Sequence, residues 1–130
     1  MSLESAARAM LTAGSTINLV PDARVTHGYR LQDTALPAIT FELQQTEVLS
    51  IGSSPLRGAQ LEVAAIADTT VDALAIGAQI RAACIAGTFD SIVFNAVQEI
   101  GFSVQPAVVG DGDEAEPAVY TLNFQLTYME

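Results

Sequence analysis

The sequence predicts an α+β domain: a mainly antiparallel sheet of about five strands with two helices packed on one face. Three observations carry this. Several segments alternate apolar and polar residues with period two, the pattern of a half-buried strand. Two others repeat apolar residues at helical spacing. Turn-forming residues separate neighbouring strand segments, which favours hairpin links, antiparallel pairing and helices segregated to one side.

Residues 3–13 read as a short helix, with Leu3, Ala6, Ala7, Met10 and Leu11 in one stripe and Glu4, Ser5, Arg8 and Thr12 facing away. Gly14 is its C-terminal stop. Residues 15–22 form a connection that tucks Ile17, Leu19 and Val20 against the body and turns at Pro21-Asp22. Residues 24–31 alternate, placing Val25, His27, Tyr29 and Leu31 on one face, with Gly28 marking a bulge.

The central skeleton is strand, strand, helix. Residues 37–45 set Ile39, Phe41 and Leu43 against Thr40, Glu42 and Gln44. Residues 60–66 set Leu61, Val63 and Ala65 against Gln60, Glu62 and Ala64. Between them, residues 46–58 read as a loop because Gly52, two serines, Pro55 and Gly58 interrupt any pattern. Ile51, Leu56 and Arg57 in that loop either reach a partner or fold back onto the sheet.

Asp68-Thr-Thr introduces a helix over residues 71–86, since short polar side chains cap free N–H groups. Only Asp72, Gln79 and Arg81 are polar in it. Val71, Leu74, Ala75, Ala78, Ala82 and Ile85 form one stripe, and Ala73, Ile76, Ile80 and Ala83 a second. A helix apolar nearly all round is covered on more than one side. The sheet takes one stripe; the N-terminal helix or a neighbouring subunit takes the other. Where the loop reaches a partner and a neighbouring subunit takes the second stripe, the interface candidates are Ile51, Leu56, Arg57, Ile76 and Ile80.

Two strand-like stretches follow, residues 92–97 and 101–109, then an acidic turn-rich loop over 110–117. The cleanest alternation closes the chain: Tyr120, Leu122, Phe124, Leu126 and Tyr128 against Thr121, Asn123, Gln125 and Thr127. The last two strands make a hairpin with the acidic loop at its tip.

A chain of 130 residues suits a single domain, residues 1–130, and a domain of this size buries roughly two-thirds of its unfolded surface. Half the residues are hydrophobic and the mean hydropathy is +0.35, an apolar surplus that suits subunit contacts as well as a core. No uncharged apolar run approaches the ~20 residues that span a bilayer. The N-terminus has no basic start leading into an apolar run, so it does not read as a secretory signal; the expected site is the interior of a cell.

The net charge is −10, with five arginines and no lysine. Tight nucleic-acid binding needs cations to displace phosphate counterions, and this chain has few. An acidic surface is compatible with a passage through which DNA slides without sticking.

No site for chemistry emerges. Cys84 is the only cysteine, which excludes an intrachain disulfide and a cysteine-based metal site, and it reads as a buried structural thiol. His27 is the only histidine and sits on a largely apolar face, where a structural, hydrogen-bonded role fits. Asp111, Asp113, Glu114 and Glu116 lack the EF-hand order and flanking helices, so they read as a solvated hairpin tip. Phosphate-loop and Gly-x-Ser-x-Gly spacings do not occur. No metal, cofactor or catalytic residue is therefore expected. A rival reading, a small enzyme or ligand-binding domain, would have to rest on His27 with Tyr29 or Glu42.

The arrangement of Arg24-Val25, Leu36-Pro37-Ala-Ile-Thr-Phe, Leu61-Glu-Val-Ala-Ala-Ile-Ala-Asp and Ala78-Gln-Ile-Arg-Ala-Ala, behind an amphipathic N-terminal helix, resembles a known family. It is similar to the tail-terminator, or tail-completion, proteins that join head and tail in long-tailed bacteriophages and gene-transfer particles. The likeness covers most of the chain. It implies a non-enzymatic virion protein, assembled in the host cytoplasm, that forms a ring, commonly a hexamer, at the head-proximal end of the tail tube. Such a ring stops tube polymerisation and meets the head-side connector or stopper, while genomic DNA passes through without tight binding. A neighbouring ring protein of the same particle, a stopper or a tail-tube-like protein, is the variant reading.

Overall fold

Alternating apolar residues decide which way each long strand faces, and four long strands form the body of the sheet. The computed structural model describes residues 2–14, 16–28, 35–48, 56–108 and 116–129. The long strands are β2 (Ala38–Val48), β3 (Arg57–Ala67), β5 (Ile92–Gln105) and β6 (Ala118–Met129). Two three-residue strands, β1 (Val25–His27) and β4 (Gly87–Phe89), flank them in the order β1-β2-β3-β6-β5-β4. Every pairing is antiparallel except β1 with β2, which is parallel. The α+β class is as expected, but among the described residues the sheet is mixed and has six strands rather than about five.

One face of the sheet carries the core. Ile39 and Phe41 of β2, Leu61 and Val63 of β3, and Leu122, Phe124, Leu126 and Tyr128 of β6 are each no more than 2% exposed. Fully burying side chains of this size is worth about 1.5–3 kcal/mol each. Both helices lie on this face. Helix α1 (Leu3–Thr12) packs on β1, β4 and the second helix, and α2 (Thr70–Ala83) lies over β3 and β6.

The helix ends follow the sequence signals. The Ser2 hydroxyl accepts from the Ser5 backbone N–H at 3.1 Å, and Gly14 past the helix end adopts φ +58°. The Thr69 hydroxyl accepts from the Asp72 N–H at 3.1 Å, which caps α2. Helix α2 stops at Ala83, three residues before the periodicity ends, because the chain must turn into β4 at Gly87. Strands β4 and β5 are joined by Asp90 and Ser91, at φ +50° and +69°. Positive φ at both turn residues is what a two-residue hairpin needs to match strand twist.

The two stretches expected over 92–97 and 101–109 are one continuous strand, β5, with register shifts between Phe94 and Ala96 and between Glu99 and Gly101. Each bulge adds one residue and reverses the alternation beyond it. Phe94, Val97 and Phe102 therefore all face the helices, though their spacing is uneven. The loop expected over 46–58 is shorter: β2 runs to Val48 and β3 starts at Arg57. The strand expected over 24–31 is described only as β1, and the acidic loop lies mostly outside the described residues.

Candidate interaction surfaces

The sheet face away from the helices is polar, and its register builds it in rows. Residues directly opposite one another on antiparallel strands share a face. Gln44, Gln60, Gln125 and Gln98 therefore form a glutamine row across β2, β3, β6 and β5. The next row is Glu42, Glu62 and Asn123, and the one beyond is Thr40, Ala64, Thr121 and Ser103. Glu42 and Glu62 sit directly opposite one another and both are exposed, an arrangement that costs stability through like-charge repulsion. No arginine stands in these rows: Arg8 is on α1, Arg24 precedes β1, and Arg57 and Arg81 lie on the helix side.

The second surface is apolar and runs between α2 and the far half of β5. Val71 is 75% exposed, Leu74 42%, Phe102 62% and Val104 38%. Two contacts fix how helix and strand lie. The Ala107 N–H donates to the Thr70 hydroxyl at 3.0 Å, and further along, Arg81 reaches Glu99. Thr70, Leu74 and Arg81 share one ridge of the helix at spacings of four and seven residues, so Leu74 stands between these anchors, along β5.

Arg81 organises the middle of this strip. Its Nε donates to Glu99 Oε1 at 2.6 Å and its Nη2 to Oε2 at 3.1 Å, a two-pronged pair. Its guanidinium lies 5.3 Å from the Tyr120 ring centroid and 5.7 Å from that of Phe102, and those rings meet edge to face. The bond from Arg81 holds the Glu99 carboxyl below the usual carboxylate range, and the same bond raises Arg81. A carboxylate depressed in the folded state contributes stability above its unfolded pKa, and that contribution is lost as pH falls through the folded value. Both groups are partly exposed, so the pair contributes at most about 1 kcal/mol.

The residues singled out from sequence fall in different places. Ile76 and Ile80 are 1% and 0% exposed within the chain itself, packed in the core, so they cannot touch a partner directly. The stripe facing outward is the other one, with Val71, Leu74 and Ile85. Gly77 lies on the inner stripe, and its lack of a Cβ lets that face settle closely on Tyr120. Leu56 and Arg57 are half-buried at the start of β3, and Ile51 lies outside the described residues.

Of the catalytic cluster considered from sequence, His27 and Glu42 lie on opposite faces of the sheet. His27 pairs in register with Phe41 on the helix side, with its ring 5.3 Å from the Phe41 ring and its Nδ1 3.2 Å from Glu4 Oε1. Glu42 points to the opposite face, and Tyr29 lies outside the described residues. A hollow bounded by Leu19, Pro37, Ala67, Asp68, Asp72 and Ile76 encloses about 220 Å³, below the ~300–1,000 Å³ of typical ligand sites. Among the described residues no three potential metal ligands cluster, and no helix is long and apolar enough to cross a membrane. Sequence reasoning missed the exposed far half of β5; Phe102 and Val104 alternating after Gly101, in a segment without Lys or Arg, were the available signal.

No protein-family profile and no curated protein sequence matches the chain. Its fold matches that of a chain in a solved structure, described as the virion of a native gene transfer agent particle, with a TM-score of 0.74. The match spans 99% of this chain and 96% of that one, at 13% identity. The two chains share a fold.

Proposed function

We propose that this protein is a virion structural protein of the tail-terminator kind, forming a ring at the head-proximal end of a tail tube. The observation that carries the reading is the fold shared, over nearly the whole of both chains, with a component of a gene transfer agent virion. The resemblance found in the sequence leads to the same class of particle. In this reading the ring, commonly six subunits, halts tube polymerisation with one face and presents another to the connector or stopper. It is assembled in the host cytoplasm and carried in the virion neck.

The surfaces suit that role. The exposed strip of Val71, Leu74, Phe102 and Val104 is apolar surface of the kind that subunit contacts cover. The glutamine row and the Glu42–Glu62 pair make a face with hydrogen-bonding capacity, negative charge and, among the described residues, no arginine, which a phosphate backbone can pass without being held. Leu56 and Arg57, at the rim where β3 begins, are proposed contacts to the tube or connector. The protein performs no catalysis in this reading: its mechanism is geometric.

The test is mass photometry and negative-stain imaging of the purified protein, alone and with tail tubes. Rings that cap one tube end support the reading. Rings that bind only the head-side connector would reassign the chain to a neighbouring ring of the same particle. A strict monomer that ignores tubes overturns it.

A further inference from the structure

Among the described residues the sheet carries two open edges, and we infer that they join between copies of this chain. Residues 98–105 of β5, with the bulge at Ile100, pair with residues 42–48 of β2 in the next copy, so that the sheet continues from subunit to subunit. This rests on the ring reading above and states how the ring closes.

Strand β4 covers β5 only at Ile92–Phe94, and among the described residues no strand lies beyond it along 95–105. That leaves roughly 35 Å of edge, at ~3.3 Å per residue. A bare edge offers a row of unpaired N–H and C=O groups, and folds that stay monomeric blunt such edges with lysine, proline, inward charges or bulges. Along 95–105 lysine and proline are missing, while the inward Glu99 and two bulges are present. The segment contains no arginine either, and its single charge, Glu99, is held by Arg81. Ile100, Phe102 and Val104 are instead 52%, 62% and 38% exposed along it. The two bulges bend the strand, which gives the curvature a closed sheet requires.

The partner is chosen by the opposite side of the same sheet. Strand β1 covers β2 at Ile39, Phe41 and the residue between them, and among the described residues nothing pairs with the outer edge of 42–48. Strands β2, β3, β6 and β5 alternate in direction. When a second copy is placed beside the first in the same orientation, its β2 meets β5 antiparallel, the relation of every neighbouring pair among the long strands. A two-fold β5–β5 contact would leave both β2 edges bare, whereas a head-to-tail contact repeats and removes both kinds of edge when it closes.

Hydrogen exchange on assembled and diluted protein tests this, together with the variants Ser103→Pro and Val104→Pro. On assembly, amides in 98–105 and in 42–48 should slow together by about 100-fold or more. Successive N–H groups of a strand point to opposite sides, so one proline breaks a bond to β6 and the other removes only an edge donor. The first lowers the melting temperature. The second should melt like the parent and lose at least ~10-fold of its assembled fraction, the loss expected when ladder bonds are removed. Should both prolines unfold the chain, the exchange measurement decides. Parental assembly by the fold-neutral variant, protection in β5 without β2, or two-fold dimers would each overturn the pairing. If the parent still forms rings on tubes in those cases, the ring reading stands and only the edge contact fails; a parent that forms no rings ends both.

Discussion

Gly77 shows how one residue sets the position of an element. A Cβ built there would lie 2.4 and 2.5 Å from two carbons of the Tyr120 ring, far inside contact distance. Tyr120 is 5% exposed and is held between Phe102 and Arg81, so it has little room to withdraw. Gly77→Ala sets two effects against each other. Alanine improves helix propensity by about 1 kcal/mol, while overpacking costs about 1–3 kcal/mol. Overpacking should win, and denaturant melts should show the variant less stable; an unchanged or raised midpoint would mean that α2 rides higher on the sheet than described. Cys84 supplies a second residue-scale expectation. Burial, with a smaller contribution from Glu99, pushes its thiol up to about 12. The native protein should therefore not react with a thiol reagent at neutral pH, and should react once unfolded.

At the scale of elements, the β4–β5 hairpin turns through Asp90 and Ser91, both with positive φ. Aspartate tolerates that region better than serine, and a left-handed residue with a Cβ costs roughly 1–2 kcal/mol. Ser91→Gly relieves that strain and increases the freedom of the unfolded chain, which offsets part of the gain. The expected net is a melting temperature higher by about 2–5 °C by calorimetry; a lower one would show that the serine side chain is needed where it stands. The same hairpin marks where sequence reading stops. Strands β3 and β6 were legible because their alternation is strict and one face is buried throughout. Strand β4 is three residues long, too short to carry a period, and Asp-Ser is not a strong hairpin pair. Strand β5 read as two pieces because its bulges at Asn95 and Ile100 break the alternation. The two stripes of α2 were visible, but with apolar residues on every side nothing in the pattern chose between them. The choice falls to Gly77 against Tyr120, a contact between residues 43 positions apart in sequence that periodicity cannot express. That choice is why Ile76 and Ile80 lie in the core while Val71 and Leu74 face outward.

In the proposed ring, charge and apolar surface pull in opposite directions. Each copy carries −10 with only five cations, and the best-placed cation, Arg81, is committed to Glu99 within its own chain. Contacts between copies therefore cannot draw on many intermolecular ion pairs, and bringing copies together concentrates negative charge. The attraction must come from apolar surface such as Leu74, Phe102 and Val104 and from backbone hydrogen bonds, neither of which weakens when salt is added. The repulsion does weaken: the Debye length falls from about 30 Å at 0.01 M to about 3 Å at 1 M ionic strength. Assembly should accordingly strengthen with sodium chloride, and more steeply with sulfate, which also favours apolar burial. Mass photometry across a salt series at fixed protein concentration measures this directly. An assembled fraction that rises with salt agrees with like-charged subunits joined through apolar and backbone contacts. A fraction that falls would mean that the contact is built on ion pairs, and the surfaces assigned here to partner binding would have to be exchanged for ones that carry the remaining arginines.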